Sequence, residues 1–147
     1  MNSQKSIPAA KILIAGFMAV LLIMLGAAPA VSRWYVALRG MPAGINTTIL
    51  ICWYLCTPPA ALALWKLWRI LGRIGEGAPF DRGNVRDIAW VSRCALVCAL
   101  ICGFGALGYA PFILVAVAML FLFVVIRVTA ACFRAAAELA EENSLTI

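Results

Sequence analysis

The chain has 147 residues, 65% of them hydrophobic and only 12% charged, with a net charge of +6. Soluble domains carry roughly 45–50% apolar and about 25% charged residues, so this chain has too few charges for a water-soluble surface and its main solvent is lipid. The positive charge does not point to direct nucleic-acid binding, because the basic residues flank apolar segments, where they orient helices against anionic lipid.

A helical span needs about 20 apolar residues, and four segments qualify: about 12–30, 45–67, 88–109 and 111–133. Together they predict one all-α domain, an integral membrane four-helix bundle. The first segment follows Lys5 and Lys11 and ends in Ala28-Pro29-Ala30, which is similar to a signal-peptide cleavage site. Its apolar run is long for a signal peptide, and it reads as an uncleaved anchor. The second segment contains Pro58-Pro59, which removes backbone bonds and kinks a helix; Thr57 is placed to re-satisfy a freed carbonyl. The third and fourth form a tight hairpin around Gly108, Tyr109, Ala110 and Pro111, with Pro111 suited to a first helical turn.

Orientation follows from lysine and arginine. With the N-terminus inside, Lys5, Lys11, Lys66, Arg69, Arg73, Arg82, Arg86, Arg93, Arg127 and Arg134 lie at the cytoplasmic side, and only Arg33 and Arg39 lie outside. This is a strong positive-inside pattern. It predicts a multi-pass protein of a bacterial cytoplasmic membrane with both termini cytoplasmic. Trp34 and Tyr35 then fall at the outer aromatic belt, and Trp65, Trp68 and Trp90 at the inner one.

Helices two and four are expected to continue into the cytoplasm. From Pro111 to Glu142 the fourth would measure about 48 Å, against roughly 30 Å of hydrocarbon. Arg127, Arg134, Glu138 and Glu141 fall within about 60° on that helix. Lys66, Arg69 and Arg73 form a basic face on the second. An acidic tail of helix four packed against this face is one expectation; a solvated charged surface is the other. Arg127 is expected to snorkel to the headgroups, or else to pair with a carboxylate such as Asp87.

In the cytoplasmic link 68–87, Gly75, Gly77 and Pro79 end helix two. Asp81 can cap the next helix, and Phe80 can staple onto Val85. At the chain's end Asn143 can cap helix four in the left-handed conformation, leaving Leu145-Thr146-Ile147 as a short apolar tail that folds back, binds a partner or frays.

Two stretches carry a family resemblance. One is Gly77-Ala78-Pro79-Phe80 with Asn84, Val85 and Arg86; the other runs from Phe133 to Ile147 and closes on Glu141-Glu142-Asn143-Ser144-Leu145-Thr146-Ile147. The chain resembles, over essentially its whole length, the bacterial membrane family catalogued as domain of unknown function 2975. The resemblance implies a four-helix inner-membrane protein and no assigned reaction. It also implies a cytoplasmic partner, because such proteins are often encoded beside small helix-turn-helix regulators. The candidate cytoplasmic interaction residues are therefore Lys66, Arg69, Arg73, Pro79, Phe80, Asp81, Asn84, Arg86, Arg134, Glu138, Glu141, Glu142, Asn143 and Thr146.

The six cysteines come with no histidine. Cys94, Cys98 and Cys102 recur every four residues, and Cys52 and Cys56 make a comparable stripe on helix two. Facing stripes of small residues let membrane helices approach closely. A thiol site for a soft metal or for redox chemistry is the sharper alternative, but it lacks histidine and any Cys-x-x-Cys pair. No histidine, phosphate-binding loop or mid-span carboxylate supplies a catalytic constellation, and no cofactor is called for. The function expected is a non-enzymatic membrane module that binds a protein at its cytoplasmic face. A small oligomeric transporter or channel for apolar or cationic compounds is the alternative, with a homo-oligomer as its partner state.

Overall fold

The computed structural model describes residues 3–75 and 82–145, with side chains left out for 3–7, 137, 140, 141 and 143–145. The described residues form four helices: α1 (Ser3–Leu38), α2 (Ala43–Gly75), α3 (Arg82–Gly105) and α4 (Phe112–Leu145). All four contain stretches long and apolar enough to cross a membrane: Pro8–Leu38, Ala43–Gly75, Arg82–Gly105 and Phe112–Ala136. The fold is an all-α four-helix membrane bundle. One end carries the α2–α3 link and the α4 tail, and is called here the charged end. The other carries the α1–α2 link and the α3–α4 hairpin.

The first helix runs two turns past its expected end at Ala30 and also begins earlier, at Ser3. Pro29 lies inside it and has no N–H for the carbonyl of Leu25, one turn earlier. The Tyr54 hydroxyl of α2 makes a long contact with that carbonyl, 3.4 Å, and the helix passes through Pro29 and reaches Leu38. It stops at Gly40, which takes φ 58°. The Gly40 N–H bonds the Ala37 carbonyl and the Met41 N–H bonds the Val36 carbonyl, at 3.2 and 3.1 Å. This is a Schellman ending, and its left-handed residue is glycine because a Cβ would be strained there.

Helix α2 likewise runs through Pro58 and Pro59. Thr57 does not serve a carbonyl these prolines release, which belong to Tyr54 and Leu55. Its hydroxyl donates instead to the Trp53 carbonyl at 2.9 Å.

Spatial order follows chain order. Among the described residues α1 packs on α2, α2 on α3 and α3 on α4, and no other pair of helices comes within 8 Å by Cα. Helix α3 is therefore central and holds most of the buried residues, including Asn84, Asp87, Ser92, Cys94, Cys98 and Cys102. It ends at Gly105, one turn short of the expected Tyr109, where the Ala106, Gly108 and Tyr109 amides close a turn onto Cys102 and Gly105. Both glycines here are steric requirements. A Cβ on Gly105 would collide with Cys52 Sγ, and one on Gly108 would lie 2.9 Å from Thr48 Oγ1.

Helix α4 overruns its expected end. Asn143 lies within it, and no described non-glycine residue has positive φ, so Asn143 is not a left-handed cap. Alanine, leucine and glutamate favour continued helix through this stretch.

Candidate functional site

The polar centre of the molecule is at the charged end, between α2 and α3. Lys66 and Arg73 are seven residues apart, two turns of helix, and so project from one face of α2. Asn84 and Asp87 lie on the face of α3 that also carries Val91, Cys94 and Cys98. Lys66 Nζ donates to Asp87 Oδ1 at 2.8 Å, and Arg73 Nη1 donates to Asp87 Oδ2 at 2.9 Å and to Asn84 Oδ1 at 3.2 Å. The Asp87 side chain is 1% exposed, against 16% for Lys66 and 23% for Arg73. Asn84 is fully buried beside it.

A carboxylate taken out of water this completely is tolerable only when paired and hydrogen-bonded. Here both oxygens are engaged, and the two cations keep partial access to solvent. The arrangement clamps the last three turns of α2 to the first two of α3. It offers almost no surface to a reactant, so its chemistry is that of a structural clasp. Ser92, also fully buried, turns back to the Ala89 carbonyl at 2.9 Å.

The basic face of α2 thus meets Asp87 of α3, not the acidic tail of α4. Helix α3 lies between α2 and α4 and supplies the nearer anion. Arg127 does not pair with Asp87, which is engaged by Lys66 and Arg73 of α2. It lines a groove of about 240 Å³ between α3 and α4 with Val85, Ala89, Arg134, Ala135 and Glu138. The Arg127–Arg134–Glu138 stripe read from helical periodicity is real, but it faces the start of α3.

The remaining candidates fall in three groups. Arg69, Arg86, Glu138 and Glu142 are exposed at the charged end, as is Leu139 between the last two. Glu141 and Asn143 are placed on α4 by backbone alone. Pro79, Phe80, Asp81 and Thr146, and with them the cap on α3, the staple to Val85 and the folded-back tail, lie outside the described residues.

The cysteine stripes face each other across the α2–α3 interface. Cys56 Sγ and Cys102 Sγ are 3.9 Å apart, Cys98 Sγ approaches the Cys56 carbonyl at 3.9 Å, and Cys52 Sγ lies 4.0 Å from the Ile101 carbonyl. Cys94 is buried and Cys132 exposed, and all six are free thiols. Among the described residues no group of three His, Cys, Asp or Glu side chains is placed to hold a metal ion. Cys52, Cys56, Cys98 and Cys102 lie where α2 and α3 meet, and small side chains there let two membrane helices approach closely.

Sequence reasoning underrated Asp87 and missed Ser92. A usable signal was present: Asn84, Asp87, Val91, Cys94 and Cys98 follow the three-and-four spacing of a single helix face. A carboxylate on a face that otherwise packs must find cations there.

No curated protein and no solved structure matches this chain. A family model described as a protein of unknown function (DUF2975) matches residues 12–147. That match covers essentially the whole chain, including the clasp, the cysteine stripes and the α4 tail, and the chain belongs to this family.

Proposed function

We propose that this protein is a non-enzymatic module of a bacterial cytoplasmic membrane that binds a protein at its charged end. The distribution of lysine and arginine supports assigning that end to the cytoplasm. The observation that carries the reading is a mismatch of helix lengths. Helix α4 has 34 residues and its antiparallel neighbour α3 has 24, so α4 outlasts α3 by about 15 Å. This overhang carries exposed Leu139, 62% accessible, next to exposed Glu138. An apolar residue flanked by carboxylates on a projecting helix suits docking into a partner's groove. The clasp beside it gives the overhang a rigid base. A small helix-turn-helix regulator is the partner we favour, on the strength of the family resemblance.

The test is photocrosslinking from position 139 in the native host. Capture of one cytoplasmic protein, lost in Leu139→Asp, is the expected result. A surface that captures nothing specific overturns the proposal. The alternative, a small transporter or channel, draws support from an apolar cleft of about 260 Å³ at the opposite end. Flux of a candidate solute in reconstituted vesicles would decide for it.

A further inference from the structure

The cleft at the hairpin end lies between α1, α2 and the start of α4. Met24, Val31, Trp34, Leu50, Trp53 and Phe112 give it an almost wholly apolar lining. Two polar contacts sit at its edge: the Tyr35 and Tyr109 hydroxyls share a hydrogen bond of 2.6 Å, and Ser32 Oγ donates to Asn46 Oδ1 at 2.6 Å. The Arg39 guanidinium stands over the Tyr35 ring, 5.7 Å from its centroid. Its charge is uncompensated at this end, since the sequence holds no carboxylate between Met1 and Gly75, nor between Ile88 and Ala137.

From this combination of apolar cleft and rim arginine we infer that the hairpin end binds an anionic phospholipid, with one acyl chain in the cleft and the phosphate on Arg39. Charge complementarity selects the occupant. A cationic compound would meet Arg39 with no anion to offset it, whereas a phosphate would meet the one formal charge at the rim. Arginine suits that role because contact through its face with an aromatic ring leaves the in-plane N–H donors for phosphate oxygens. Size agrees. About 260 Å³ falls below the roughly 300–1,000 Å³ of sites that enclose a drug-sized ligand, and a groove open to lipid need hold only part of one chain. Arg33 serves as the internal control: it is exposed, and its Nε donates to the Pro29 carbonyl of its own helix at 3.0 Å. The inference does not depend on a cytoplasmic partner, and either can fail without the other.

The test is native mass spectrometry of the full chain released from vesicles of phosphatidylcholine with one tenth phosphatidylglycerol. We expect one phosphatidylglycerol retained in preference to phosphatidylcholine. Arg39→Gln should reduce that preference about fivefold, the worth of one basic residue near an anionic headgroup, while Arg33→Gln leaves it unchanged. Val31→Trp, at an exposed position of the lining, should displace the lipid while leaving Arg39 in place. Equal retention of the two lipids, equal losses from the two arginine variants, or a second copy of the chain in place of lipid would each overturn the inference.

Discussion

Replacing Asp87 by alanine removes the carboxylate that joins Lys66 to Arg73 across the α2–α3 interface. Two partly buried cations are then left facing each other. Breaking a buried ion pair by deleting one partner costs about 3–5 kcal/mol. Lys66 and Arg73 keep 16% and 23% of their side-chain surface, so they can relax toward water, and the lower end applies: about 3 kcal/mol. For a chain of this size that corresponds to a fall of roughly 6–12 °C in thermal midpoint, measured by far-UV circular dichroism in a mild detergent. The loss should persist at high salt, because buried pairs are poorly screened. The triple variant Lys66→Met, Asp87→Leu, Arg73→Met should recover part of it, since apolar replacement of a buried ion network is often neutral, while buried Asn84 loses the Arg73 donor. An Asp87→Ala protein that melts with the wild type, or a triple variant as unstable as the single one, refutes the clasp.

Three further predictions probe the rest of the bundle. Gly105→Ala drives a Cβ into Cys52 Sγ and should cost about 1–3 kcal/mol; Cys52→Ala in the same chain should restore stability, because Cys52 Cβ itself is 3.8 Å away. Treatment with a lipophilic thiol oxidant should link Cys56 to α3 first, at Cys102 or Cys98, as both sulfurs already lie against Cys56, and mapping by peptide mass spectrometry that finds a first linkage to neither would contradict the α2–α3 register. In a cysteine-free background, Glu138→Cys should react with a membrane-impermeant maleimide only after cells are opened, and Ala43→Cys, exposed beside the α1–α2 link, should react in intact cells; the reverse pattern inverts the topology.

Much of the architecture is legible in local chemistry. Apolar runs of sufficient length give the four helices and their approximate bounds, and the small-residue repeats at Cys52, Cys56, Cys94, Cys98 and Cys102 anticipate two faces able to approach closely. Helix ends were harder. The carbonyl freed by Pro29 meets Tyr54, a residue 25 positions from that proline, and no local rule anticipates that α1 continues past it. Asn143 looks like a stop, yet the alanine- and glutamate-rich stretch before it carries the helix on to Leu145.

The candidate site was legible only in part. Lys66, Arg73 and Asn84 stand out in the sequence as polar residues at the edge of the bilayer. Their convergence on Asp87 depends on which helix lies beside which. Helical periodicity fixes the face on which a side chain projects, so the sequence by itself determined a membrane-spanning all-α chain, its charge asymmetry and its stripes. Neighbour choice is a long-range property, set by how whole faces fit. Tertiary structure alone decided that α3 separates α2 from α4, turning the basic face of α2 onto a buried carboxylate and leaving the tail of α4 to project.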